Sequence, residues 1–348
     1  MMYKRIISFL TCLTFLLLPL TSCKEKKPTT QAKSYYEYFD TVSTILSYTG
    51  DSEEEFTENH EAVAKLLGEY HKLFDIYYEY SDVNNLKTVN KNAGIAPVEV
   101  DDRLIDFLLF CKQTYTLTGG KTNIAMGAVL KLWHDCREDA EGDPENAKIP
   151  SEAELAEAAK HCDINNLVID VGTSTVYISD PKMQLDVGAI GKGYAAERAA
   201  ELLMDKAVTG YVLNIGGNIR AIGSKPDGNG WETGITHPNK SSDERFIRKV
   251  SIKNISLVTS GDYERYYTVG GVKYHHIIDP DTLMPAEYFS SVSVFTKESG
   301  LADALSTALF CMSYKDGIAL VNSLEGVEVI WVDRQYNVKN TDGIDFVD

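Results

Sequence analysis

Apolar and polar residues alternate along Tyr35–Gly50 (YYEYFDTVSTILSYTG), a period of two that predicts an opening strand. The period then lengthens. Over 56–77 the apolar positions Val63, Leu66, Leu67, Tyr70, Leu73, Phe74 and Tyr77 form one stripe, which predicts an amphipathic helix. His60 and His71 fall in that helix with no acid or nucleophile at a useful spacing, and read as surface or interface histidines. Segment 81–100 lacks a long period; Ser81, Asn84, Asn85 and Asn90 suit turns, caps or a ligand-facing wall. A second amphipathic helix is predicted over 101–119, closed by Gly119-Gly120. A short apolar run (122–135) precedes a polar stretch, 137–150, that reads as an exposed insertion. Ser151 and Glu154 have the spacing of a capping box for a helix over 151–160.

Farther on, LVID and TVYI within 165–180 read as a hairpin and MQLDV (183–187) as a short strand. A helix is predicted over 194–206. Strand pattern returns over 210–223, where Gly216-Gly217-Asn218 implies a bulge or a close backbone approach. Short strands follow at 230–238 and within 248–267, then a turn (275–287), a strand (290–298), a helix (299–312), and a closing helix and strand over 317–341. Regular βαβ repetition is absent, so the class is α+β or mixed α/β.

The chain has 348 residues and is 44% hydrophobic, enough for a large core. Its formal net charge of −17, with no long basic run, argues against nucleic acid as a partner. Residues 1–22 lie outside the fold: Lys4 and Arg5 precede an apolar core, Ile6–Leu20, of signal-peptide length. The following Leu20-Thr21-Ser22-Cys23 resembles a bacterial lipobox. That resemblance implies cleavage before Cys23, acylation of its thiol and anchoring in a bilayer at the extracytoplasmic face of the cell membrane. Residues 23–34 then form a polar tether, and 35–348 the functional domain. Beyond the anchor stand Cys111, Cys136, Cys162 and Cys311. Cys111 and Cys311 sit in apolar helical runs. Export permits a Cys136–Cys162 disulfide, and four free thiols suit the sequence equally.

Candidate chemistry centres on Asp186-Val187-Gly188-Ala189-Ile190-Gly191-Lys192-Gly193, a glycine-rich strand-to-helix turn. Such turns aim backbone N–H groups at anions. The spacing matches neither GxGxxG nor the Walker form. Asp303 and Thr307 stand four apart on the helix 299–312 and share a face. One carboxylate and one hydroxyl are a partial site for a divalent ion, which needs more oxygens. His275-His276 precede Ile-Ile-Asp279-Pro280; in extended backbone only one of the pair faces a given site, where it can take a proton near neutral pH. Asp279 has three readings: orienting a histidine, holding a ligand hydroxyl, or capping the turn. Thr259–Arg265 gathers hydroxyls, acids and an arginine, which suit a phosphate or, equally, a salt-bridged turn.

These segments together resemble the ApbE-type flavin transferases, FAD:protein FMN transferases. The resemblance runs through YFDTVSTI (38–45), LDVGAIGKGYAAE (185–197), LNIGGNI (213–219), GWETGITHP (230–238), TSGDYERYY (259–267), YHHIIDPDTLMPA (274–286) and ADALSTALF (302–310). It implies an α+β, mixed α/β, T-fold-like architecture with FAD in a cleft between two closely packed parts. It implies Mg2+-dependent movement of FMN from FAD to a Thr or Ser hydroxyl of an acceptor flavoprotein or membrane redox subunit, releasing AMP. By the same resemblance Asp303, Thr307 and the Ala189 carbonyl hold the metal. His276 manages the acceptor proton, with Asp279 beside it as a second catalytic candidate. Gly188, Lys192, Gly216, Gly217, Asn218, Thr259, Ser260, Gly261 and Arg265 lie at the nucleotide, and Tyr38, Phe39 and Thr41 near the isoalloxazine or adenine.

One segment departs from the family. Where it often has TGGAFDPT, this chain has Thr118-Gly119-Gly120-Lys121-Thr122-Asn123-Ile124-Ala125. The Phe-Asp pair is missing, which leaves the contribution of this loop open. Two other functions suit the same residues: hydrolysis of FAD to FMN and AMP, and a non-enzymatic flavin-binding lipoprotein.

Overall fold

The computed structural model describes residues 29–347; the signal segment and Cys23 lie outside them. The predicted opening strand is a hairpin. β1 (Thr29–Tyr38) and β2 (Thr41–Thr49) pair antiparallel around Phe39 and Asp40, both with positive φ, 55° and 50°. Alternation continues through both arms, so its period alone does not mark the turn. β1 also takes in residues 29–34, expected to be tether.

Helix α1 (Glu53–Phe74) opens with a Ser52–Glu55 capping box. Then come α2 (Leu86–Lys91), β3 (Val98–Glu99), α3 (Asp102–Leu117), α4 (Gly127–Gly142) and α5 (Glu152–Ala159). The α5 cap is the predicted Ser151–Glu154 box. Helix α4 extends into the region expected to be an exposed insertion. Hairpin β4 (Leu167–Asp170) and β5 (Thr175–Ile178) forms as predicted. Residues 183–187 are not a ladder strand. Asn90 holds them by mimicking a strand edge, accepting from Leu185 N at 2.7 Å and donating to Leu185 O at 3.0 Å.

Helix α6 (Gly191–Asp205) starts three residues earlier than predicted, which places Lys192 and Gly193 in its first turn. The remaining elements are β6 (Tyr211–Ile215), β7 (Asn218–Ile222), β8 (Trp231–Thr236), β9 (Phe246–Ile252), β10 (Ser256–Gly261), β11 (Tyr266–Val269), β12 (Val272–His275), β13 (Phe289–Thr296), α7 (Ser299–Phe310), α8 (Tyr314–Asn322), β14 (Glu328–Asp333) and β15 (Val338–Asn340).

An open eight-stranded sheet runs β1-β2-β6-β7-β10-β13-β14-β15, all neighbours antiparallel. One face carries α1 and α6, with α3 packed against both through Phe107, and Ile45, Leu67, Phe107, Leu203 and Leu213 are buried there. On the neighbouring strands α7 and α8 cover β13 and β14 through Leu305, Leu309, Phe310 and Trp331. Hairpin β8–β9 covers the sheet's other face through Trp231, Val250, Leu257, Phe295 and Ile330. Every residue of β13 is therefore buried. Each large apolar side chain buried in these layers contributes about 1.5–3 kcal/mol. Among the described residues no helix is long and apolar enough to cross a membrane, and all four cysteines are free thiols.

Candidate active site

The sheet register brings the site segments to one end. The β6–β7 turn is Gly216-Gly217, and the β7–β10 pairing Leu257↔Ile219 carries it alongside the C-terminal half of β10, Thr259–Gly261. Gly216 has φ of +56°, and a Cβ there would lie 2.5 Å from Thr41 Cγ2. Thr41 and Gly216 therefore meet through a contact only glycine allows. Asn218 is 2% exposed, with Nδ2 donating to Ile215 O while Oδ1 finds no protein partner among the described residues. Phe39 N donates to His71 Nδ1 at 3.2 Å, and the two rings meet edge to face. Tyr38 packs on the adjoining core. His60 is buried at an interface, one of the two places expected for it, and bonds Tyr35 Oη at 2.7 Å. Both histidines of α1 thus dock the first hairpin.

Helices α6 and α7 cross at Gly193. A Cβ on Gly193 would sit 2.4 Å from Asp303 Cβ and from Ser299 O. The Gly193 N–H donates to Asp303 Oδ2 at 2.8 Å. In an uninterrupted helix that N–H would bond the Ala189 carbonyl. Here no backbone donor reaches Ala189 O, among the described residues. Asp303 is 5% exposed, and among the described residues no protein donor reaches its Oδ1. Burial raises its pKa; the Lys192 charge and the Gly193 N–H work the other way. Thr307 follows one turn later on the same face. The Ala189 carbonyl, the Asp303 carboxylate and the Thr307 hydroxyl are hard oxygen donors, the type a Mg2+ ion takes. No cluster of three or more His, Cys, Asp or Glu suits a metal among the described residues, so any such ion relies on this mixed set and on ligand oxygens.

A second clamp lies one turn along. Arg220 and Glu197, both 4% exposed, form a two-pronged ion pair at 2.9 and 3.1 Å. Glu197 Oε2 also accepts the Ser299 N–H at 2.8 Å. The start of α7 is thereby tied to α6 and β7. Neither spacing nor periodicity pointed to Glu197 or Arg220, which sit far apart in the chain.

Around this crossing stand the remaining candidates. Lys192 Nζ donates to Gly188 O at 3.3 Å, and Gly188 N donates to Asp186 Oδ1 at 2.9 Å. Burial raises the Asp186 pKa, while its own N–H contact and the nearby His134, Lys192 and Arg265 oppose that. Ser260 Oγ lies 2.8 Å from Ser306 Oγ and 3.5 Å from Thr307 Oγ1, and Thr259 Oγ1 lies 2.8 Å from Ser293 Oγ. Arg265 is exposed, and its carbonyl accepts from both N and Nδ1 of His276 at 3.2 Å.

The two adjacent histidines differ in kind. His275 is buried; its Nε2–H donates to Ala286 O and its Nδ1 accepts from Ile277 N, so both nitrogens are used. His276 is half-buried. A carbonyl only accepts, so His276 Nδ1 carries the hydrogen and Nε2 keeps its lone pair. Burial, then the positive charge of Arg265, holds the His276 pKa down at about 3. The imidazole is neutral at physiological pH. Asp279 is held within its turn: Oδ1 accepts from Lys121 Nζ at 2.7 Å and from Asp281 N at 3.1 Å.

Residues 39–331 match the model of the ApbE family. The chain is similar to the FAD:protein FMN transferase of Treponema pallidum (strain Nichols), 35% identical over 277 residues, 76% of this chain and 74% of that one. The FAD:protein FMN transferase of Klebsiella pneumoniae (strain 342) is 28% identical over 277 residues, covering 79% and 82%. Among solved structures, the ApbE protein of Thermotoga maritima superposes with a TM-score of 0.78 at 30% identity, covering 90% of this chain and 97% of that one. With its mixed α/β architecture and the extent of these matches, the chain belongs to the ApbE family.

Proposed function

We propose that this protein transfers FMN from FAD to a Thr or Ser hydroxyl of an acceptor protein and releases AMP. The carrying observation is the displaced hydrogen bond at Gly193, whose N–H goes to Asp303 rather than to the Ala189 carbonyl. The FAD:protein FMN transferase relatives support the same reading.

Ala189 O, Asp303 Oδ1 and Thr307 Oγ1 would hold Mg2+. Bound there, the ion would neutralise charge on the pyrophosphate oxygens and on departing AMP. Gly188, Lys192, Gly216, Gly217, Asn218, Thr259, Ser260, Gly261 and Arg265 form the nucleotide wall in this reading, with Tyr38, Phe39 and Thr41 at the ring end. Lys192 and Arg265 supply positive charge toward the phosphates. His276 Nε2 takes the proton of the acceptor hydroxyl as its oxygen bonds the FMN phosphorus and the P–O bond to AMP breaks. The Arg265 carbonyl holds the imidazole in the tautomer that leaves Nε2 free. Cys23, acylated, would tether the enzyme to the outer face of the cell membrane, within reach of an extracytoplasmic acceptor.

Incubation of FAD and Mg2+ with and without a Thr-bearing acceptor protein tests this. The expected product is acceptor carrying the mass of an FMN phosphodiester, lost in Asp303→Ala. AMP release indifferent to the acceptor would instead establish hydrolysis, and intact FAD after long incubation a carrier. Labelling with a radioactive fatty acid, lost in Cys23→Ser, checks the anchor.

A further inference from the structure

The loop that departs from the family pattern is a junction in the structure. Gly119 and Gly120, with φ of +59° and +86°, turn the chain out of α3. Lys121 Nζ then donates to Asp279 Oδ1 at 2.7 Å and Asp281 Oδ2 at 2.8 Å. The Lys121 side chain is 16% exposed and that of Asp279 only 4%. Thr122, also buried, donates to the Ala304 carbonyl at 2.6 Å, the residue after Asp303. Ile124 O accepts the Asp186 N–H at 2.8 Å. Three residues of this short loop, Lys121, Thr122 and Ile124, thus hold the turn after His276, helix α7 and the segment entering α6.

The turn itself is closed mostly by its own backbone: Asp279 N to Met284 O, Leu283 N to Asp279 O, and Ala286 N to Ile277 O. Lys121 supplies its ion pair from outside, 158 residues away in sequence. A buried carboxylate with one short backbone donor of its own needs that partner, because an unpaired buried charge is strongly disfavoured. The pair therefore sets where the turn sits.

We propose that Lys121 is a positioning residue for flavin transfer: through Asp279 it fixes the His276 turn against α7, and so sets the reach of His276 to the Asp303–Thr307 pair. This rests on the site reading above. Asp279 then acts through its place in the turn rather than on substrate.

The test compares Lys121→Met, Lys121→Arg, Asp279→Asn and the Lys121→Met/Asp279→Asn double variant in the full chain. AMP release from FAD with Mg2+, FAD affinity by flavin fluorescence, Mn2+ affinity by EPR and the His276 imidazole nitrogens by NMR are read for each. Lys121→Met should lower turnover by about 10- to 100-fold, with FAD and Mn2+ affinities within roughly twofold of the parent. His276 should lose its single Nδ1–H tautomer. The double variant should be no slower than the worse single, and Lys121→Arg should recover most of the loss. Parent-like turnover and an unchanged His276 spectrum in folded Lys121→Met would overturn the proposal, as would singles whose losses multiply. A loss of FAD affinity in place of turnover would overturn it too, by making Lys121 a ligand contact. Should Lys121→Met not fold, Asp279→Asn must show the turnover and NMR changes alone. Full turnover in His276→Gln would defeat the site reading separately, leaving the Lys121–Asp279 coupling to be judged by the double variant.

Discussion

Gly193 and Asp303 meet in two ways at once: the glycine N–H donates to Oδ2 at 2.8 Å, and the missing Cβ leaves room for the Asp303 side chain. One residue thereby fixes the carboxylate and releases the Ala189 carbonyl from helix bonding. Helix α6 starts irregularly because its first turn serves α7.

Gly193→Ala follows directly. The added methyl would press on Asp303 Cβ and on the Ser299 carbonyl, which cannot swing aside. Overpacking of this kind costs about 1–3 kcal/mol. Thermal unfolding should show that loss, and Mn2+ titration should show weakened binding as α7 shifts. Gly188→Ala is the control: it is exposed and a Cβ there would meet only Asp186 Oδ1, at 3.2 Å. Equal melting temperatures for the Gly193→Ala variant and the parent would refute the packing argument.

Asp303→Asn separates stability from function. The carboxylate is buried, its pKa is raised, and it receives one hydrogen bond. Without a divalent ion the uncharged isostere should raise the melting temperature by a few degrees, since desolvation of the anion is removed. Mg2+ should then no longer stabilise the protein, whereas the parent should gain with ion concentration. Transfer should fall on the order of 10³-fold, the loss of several kcal/mol of charge stabilisation. Differential scanning fluorimetry with and without Mg2+ reads the first two effects and AMP release the third.

How much of this was legible in the chain depends on the range of the interaction. The Asp303–Thr307 pair follows from helical period, and the Ser151–Glu154 cap from local spacing, and both elements form. The 35–50 run reads as one strand because the positive-φ turn at Phe39-Asp40 carries no glycine to announce it. Residues 183–187 alternate like a strand, yet they pair only through an isolated parallel bridge to Met126 on one side and the Asn90 side chain on the other, which no periodicity in these segments encodes. The Lys121–Asp279 and Arg220–Glu197 pairs join residues 158 and 23 positions apart, so only the fold brings them together. Export permitted a Cys136–Cys162 disulfide, and the structure has both as free thiols.

The pH profile tests His276. Its folded pKa, about 3, lies below the ordinary imidazole value of about 6.5. The base form is already present at pH 6.5 and persists well below it. At saturating Mg2+, kcat should therefore stay level as pH falls through 6.5, and an acid limb centred there would count against this assignment. His276→Gln should lower turnover about 10²- to 10⁴-fold at every pH. Stability carries the complementary sign. Below pH 6.5 the unfolded imidazole takes a proton that the folded one does not, so this contribution is complete above pH 6.5 and is lost toward pH 3. His275, held at about 4 by burial, adds to the same acid sensitivity.

Ser260 gives the last test, because its hydroxyl chain has a direction. Ser306 Oγ donates to the Asp303 carbonyl at 2.9 Å, so it must accept from Ser260 Oγ–H. The remaining Ser260 lone pairs face Thr307 Oγ1 at 3.5 Å and draw its proton that way. Thr307 Oγ1 would then keep a lone pair for a metal ion. Removing an outer partner of this kind lowers metal affinity by about 10- to 100-fold. Ser260→Ala should weaken Mn2+ binding by about tenfold in EPR titrations while keeping the Gly193–Asp303 contact. Ser260→Thr keeps the hydroxyl and should restore most of the affinity. If both variants bind Mn2+ like the parent, the Ser260 hydroxyl does not orient Thr307.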